Sequence, residues 1–84
     1  MNAEDFADYI HEILLDDPDF SCVERVVYRD GQYIFHINTS SMTEFFWHPA
    51  PRSLPIDRHS AQTSDYMEQL FGDLSDRFFE LGLY

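Results

Sequence analysis

Ser21 to His48, reading SCVERVVYRDGQYIFHINTSSMTEFFWH, is the stretch against which everything else in this chain has to pack. Its pivot is Asp30-Gly31. Val23, Val26, Val27 and Tyr28 precede the pair, and Tyr33, Ile34, Phe35 and Ile37 follow it, all β-branched or aromatic. An Asp-Gly pair between two such runs specifies a hairpin, because a type I′ turn needs positive φ at both central residues. Strands are therefore expected over about 21–29 and 32–38, with Tyr28 opposite Tyr33, Val27 opposite Ile34 and Val26 opposite Phe35. Strict alternation puts Tyr28, Val26, Tyr33, Phe35 and Ile37 on the core face, interrupted by Glu24. It leaves Val23, Val27 and Ile34 on the other face with Arg25, His36 and Asn38.

Asn38 to Ser41 is a polar turn cluster, and Thr43-Glu44-Phe45-Phe46-Trp47-His48 has the composition of a third strand. The residue count of the loop decides whether Phe46 or the pair Phe45 and Trp47 meets the core; Phe45 and Trp47 are the expected pair. Pro49, Pro51 and Pro55 forbid further regular pairing, so 49–57 reads as an extended connection.

Outside this sheet the periodicity is helical. Asn2 is a suitable N-cap, Glu4 and Asp5 sit where the helix dipole favours negative charge, and Phe6, Ile10, Ile13 and Leu14 form one stripe with Tyr9 at its edge. This first helix is expected over about 3–15, ending at Asp17-Pro18. A second, over about 61–81, carries Met67, Leu70, Phe71, Leu74, Phe78 and Leu81, with Ser60 or Thr63 as cap and Gly82 as the stop. The expected class is α+β, in the order α-β-β-β-α: a three-stranded antiparallel meander packed by two helices. Double-stranded-RNA-binding domains share that order, but they place lysines at the start of the second helix. Here that segment is SAQTSDYMEQ, so the resemblance stops at topology.

With 84 residues there is room for one small domain, which buries roughly 60–65% of its unfolded surface. The chain is 44% hydrophobic, enough to collapse into an ordered core despite a net charge of −11. Its 16 acidic residues oppose 5 basic ones, all Arg, which excludes the phosphate neutralisation that nucleic-acid binding depends on and disfavours an anionic membrane. The start MNAEDFADYI is acidic where a signal peptide is basic, and no apolar run approaches the ~18 residues of a membrane span. The expected address is the cytoplasm, where the sequon Asn38-Thr39-Ser40 carries no weight.

No residue pattern announces catalysis. His11, His36, His48 and His59 lack metal-ligand spacing, and His11-Glu12 is not an H-E-x-x-H because residue 15 is Leu. Lone Cys22 forms no internal disulfide, and His36 falls out of register with it on the opposite face. No enzyme activity and no cofactor are expected.

The informative signal is the acid pattern. Asp5, Asp8, Glu12 and Asp16 recur at helical spacing, Asp17 and Asp19 prolong the stripe, and no basic residue precedes Arg25. On the last helix Asp65, Asp73, Asp76 and Glu80 lie opposite the apolar stripe, relieved by Arg77. A solvated helix face ordinarily mixes signs, since like charges at this spacing cost a few tenths of a kcal/mol per pair. The first-helix stripe places one charge per ~5.5 Å, against one per ~1.7 Å along duplex DNA, so any nucleic-acid mimicry needs both helices.

These acids are expected to bind a basic, nucleic-acid-binding protein and inhibit it. In size and charge the chain is similar to small acidic phage proteins that block CRISPR or restriction machinery, a compositional resemblance that assigns no residues. An antitoxin or immunity protein against a basic toxin is the alternative within the binding class. A homodimeric structural or adaptor domain is the alternative outside it, with Val23, Val27, Ile34 and Phe46 as the apolar interface unless Leu54 and Ile56 wrap back over that face.

Overall fold

The computed structural model describes residues 1–53 and 57–83 and has the expected α+β order. Helix α1 runs over Ala3–Leu15, and its cap is Asn2, whose Oδ1 accepts the Asp5 N–H at 2.8 Å. Phe6, Ala7, Ile10 and Leu14 form its buried side. Beyond it Asp17 caps a single 3₁₀ turn, Pro18–Phe20, that periodicity does not announce. The turn drops Phe20 into the core, its ring edge-on to Phe78 at 5.2 Å and stacked on Phe71 at 5.9 Å.

Strands β1 (Val23–Arg29) and β2 (Gln32–Asn38) meet at the Asp30-Gly31 turn, where φ is 51° and 80° as a type I′ turn requires. Tyr28, Val27 and Val26 oppose Tyr33, Ile34 and Phe35 as expected. Val23 does not follow. The register shifts between Val23 and Arg25, so Val23 opposes Ile37 and is completely buried. A bulge at Glu24 turns that carboxylate outward and Val23 inward, avoiding the cost of burying a charge in the core. Val23 therefore belongs to the core and not to the open face.

Strand β3 (Thr43–Pro49) corrects a second expectation. The Thr39 hydroxyl accepts the Met42 N–H at 3.1 Å, and the Thr39 N–H donates to the Met42 carbonyl at 2.9 Å, closing a loop of even count. Asn38 then opposes Thr43 and Phe35 opposes Phe46. Phe46 and His48 thus turn toward the core, while Phe45 and Trp47 turn away and are 52% and 54% exposed.

Helix α2 spans Ala61–Glu80 from its Ser60 cap. It ends in a Schellman motif: Gly82, at φ 74°, donates its N–H to Phe79 and Leu83 donates to Phe78. Met67, Leu70, Leu74 and Phe78 join Phe6, Ile10 and Leu14 over Val26, Tyr33, Phe35 and Ile37, so both helices cover one face of the sheet. The Ala50 N–H donates to the Gly31 carbonyl at 3.0 Å, carrying the chain into the Pro-rich connection. Leu54 and Ile56, expected over the open face, lie outside the described residues.

Two tyrosines pin the layers together. Tyr33, fully buried, donates its hydroxyl to the Ala3 carbonyl at 2.9 Å, and Tyr66 donates to the Pro49 carbonyl at 2.7 Å. Burial pushes both phenols above their ordinary value of 10.0, with Tyr28 and Glu4 adding to the effect at Tyr33 and Tyr33 adding at Tyr66. Above about pH 10 the unfolded chain releases protons that the folded chain keeps. Stability is then full below that pH and falls as pH rises, by at most about 1.4 kcal/mol per pH unit for each tyrosine. Melting should be unchanged from neutral pH to about pH 9 and fall steeply beyond about pH 10, and the fall should be shallower in Tyr33→Phe. An identical alkaline slope in Tyr33→Phe would remove Tyr33 from this account.

Candidate functional site

Because the core-facing residues of α1 recur at i and i+4, Asp5, Asp8, Glu12 and Asp16 look away from the sheet. All four are exposed, and among the described residues none of them forms an ion pair. Asp5, Asp8 and Glu12 border an open depression together with Met1, Tyr9, Asp57 and Arg58. The Arg58 guanidinium lies 5.0 Å from the centre of the Tyr9 ring, a cation–π contact on the floor of this acidic face. Asp57 joins the acids here although it is far from them in sequence.

The remaining acids are not equivalent. Asp19 is exposed, whereas Asp17 is half-buried and spends an oxygen on the Asp19 N–H at 2.9 Å. On α2, Asp65 and Asp76 are exposed and form no ion pair among the described residues, and exposed Glu68 stands on the same helix. Asp73 and Glu80 are engaged. Arg77 holds Glu80 at 3.1 Å and reaches Glu44 of β3 at 3.5 Å. The unneutralised charge is therefore concentrated on α1 and the 3₁₀ turn.

Asp73 takes part in a cluster that pattern reading misses. His48, only 6% exposed, donates Nε2–H to Asp73 Oδ2 at 2.9 Å. Its Nδ1 lies 3.1 Å from both the Tyr66 hydroxyl and the Pro49 carbonyl. A His between a carboxylate and a phenol has the form of a catalytic relay, yet burial holds the Tyr66 phenol in its protonated form, which makes it a poor nucleophile. The cluster ties β3 to α2. Its one sequence signal was inward placement of His48, which depends on the β3 register. Burial likewise pushes the Cys22 thiol up from its ordinary value, away from the reactive thiolate. Among the described residues no group of three or more His, Cys, Asp or Glu side chains is placed to hold a metal. No described helix is long and apolar enough to cross a membrane.

On the opposite side of the molecule the sheet face turned away from the helices exposes Val27, Phe45 and Trp47 around Ile34, which is itself buried at 8% exposure, and does not carry Val23 or Phe46. His36 stacks on Phe45 with ring centres 4.8 Å apart, and its Nδ1 lies 3.2 Å from Glu24 Oε2 at the bulge. Comparison with protein-family models, with curated proteins and with solved structures finds no match.

Proposed function

We propose that this protein is a non-enzymatic inhibitor that occupies the basic, nucleic-acid-binding surface of another protein, with α1 and the 3₁₀ turn as its contact region. The observation that carries this is the run of exposed carboxylates Asp5, Asp8, Glu12 and Asp16, which form no ion pair among the described residues. A helix gains from alternating signs at this spacing, and this helix forgoes the gain. Such a surface steers a cationic partner through long-range attraction and meets its Arg and Lys side chains as a phosphate backbone would. The charge spacing along α1 alone is wider than that of duplex DNA, so Asp19, Asp57, Asp65 and Asp76 supply flanking contacts rather than a copied strand.

The test is competition. A partner captured from the native cell on immobilised protein should be displaced by the nucleic acid it normally binds. Its association rate should fall about tenfold or more as salt is raised from about 50 to about 200 mM. A partner that holds nucleic acid and this protein at the same time, with no loss of affinity for either, would refute the proposal.

A further inference from the structure

The sheet face turned away from the helices differs from the rest of the surface in both polarity and sign. Across the strands, Val27, Ile34 and Trp47 form one row and Arg25, His36 and Phe45 the next. Val27 is 40% exposed, and Phe45 and Trp47 are more than half exposed, an unusual display of large apolar side chains on so small a domain. Arg25 and Arg29 stand on the strand-β1 side of this face against one acid, Glu24, so its strand residues carry a positive excess within a chain of net charge −11. The outward sides of both helices are acidic. Of the two broad faces, the sheet is the one on which a second copy meets the less negative charge.

We propose that this face binds a second copy of the chain, forming a two-fold dimer with sheets back to back and the acidic helices outward. The face is self-complementary in one orientation. Its cations lie on β1, its aromatic rings lie on β3, and β2 runs between them. A two-fold axis parallel to the strands sets β1 of each copy over β3 of the other. Arg25 then meets the Phe45 ring as a cation–π pair, Val27 meets Trp47, and Ile34 lies near the axis. An axis perpendicular to the strands sets β1 over β1 and opposes Arg25 to Arg29, which like-charge repulsion disfavours. Aligned packing of twisted sheets accommodates the first arrangement. Three strands of this length cover about 23 by 14 Å, roughly 320 Å² on each copy, which is below the size of a stable interface, so the dimer is a weak, concentration-dependent one. This dimer does not depend on what the acids bind, and it would present two separate acidic layers to partners.

Sedimentation of the full chain across a dilution series tests it. Mass should rise from the 10.0 kDa of one chain toward twice that with concentration. The emission of Trp47, the only tryptophan, should shift to the blue over the same range as its ring leaves water. Higher salt should strengthen the dimer by screening the two negative chains, the reverse of its effect on a partner bound through the acids. Trp47→Glu should abolish dimerisation and Arg25→Glu should weaken it about tenfold. Both positions are exposed, so circular dichroism should be unchanged. A constant 10.0 kDa up to about 1 mM overturns the proposal, and is the result expected if the connection through Leu54 and Ile56, or a different protein, covers this face. A dimer that survives both replacements overturns it too, by placing the contact elsewhere.

Discussion

Phe6→Ala is expected to bring this protein to the edge of unfolding. Phe6 is completely buried, and its ring lies 5.7 Å from Tyr33, 5.8 Å from Tyr66 and 5.9 Å from Tyr9. It is thus the point at which α1, the central strand and α2 meet. Truncating such a ring costs about 3–5 kcal/mol, because the transfer free energy is lost and the cavity closes only in part. A domain of 84 residues has roughly 4–13 kcal/mol in total. With a urea dependence near 1 kcal/mol per molar, the denaturation midpoint should drop by about 3–5 M. Phe79→Ala is the control, since Phe79 is 76% exposed and its loss should move the midpoint little. Equal effects at the two positions would show that the core is not organised around Phe6.

The parts of this fold that sequence could deliver are those whose causes are local. Asp30-Gly31 dictates its own turn, the spacing of Phe6, Ile10 and Leu14 dictates a helix, and Asn2 and Ser60 cap the segments that follow them. What escaped depends on a competition between distant groups. Alternation alone puts Glu24 inward and Val23 outward, and only the energetic contrast between a buried valine and a buried carboxylate selects the bulge. The spacing of three between Val23 and Val26 was the available sign. In β3, aromatic residues at three consecutive positions make both registers plausible by composition, and the decision falls to the Thr39 turn.

The same distinction applies to the candidate site. Acids at 5, 8, 12 and 16 share a helix face whatever the tertiary structure, so their grouping was legible. Which acids remain unneutralised was not. Asp73 and Glu80 look alike in sequence to Asp65 and Asp76, yet His48 and Arg77 engage the first two. Asp57 and Arg58 reach the α1 face through the connection, a contact that no periodicity encodes. The sheet separates the molecule into an acidic helical side and an apolar, weakly cationic side, and that polarity arises from the β3 register that places Phe45 and Trp47 outward.

Replacing Asp5, Asp8 and Asp16 with Asn and Glu12 with Gln should weaken partner binding by roughly 100-fold, most of it in the association rate. Each exposed charge contributes modestly by itself, and their joint field over one helix face gives the large effect. The fold should not suffer. The substitutions conserve shape, remove like-charge neighbours at i,i+4, and delete an acid at the C-terminal end of α1, where the helix dipole opposes it. Only Asp5, in the first turn, gives up a favourable dipole interaction. The melting temperature of the variant should therefore equal or exceed that of the parent while its affinity collapses. Stopped-flow association at two salt concentrations, beside a melting curve, reads both quantities. The variant should also have a shallower salt dependence, because four of the charges that salt screens are gone while the flanking acids remain. If instead stability fell in step with binding, the acids would be serving the fold; if neither changed, the partner would be engaging another surface, and the acidic face of α1 would have no part in its recognition.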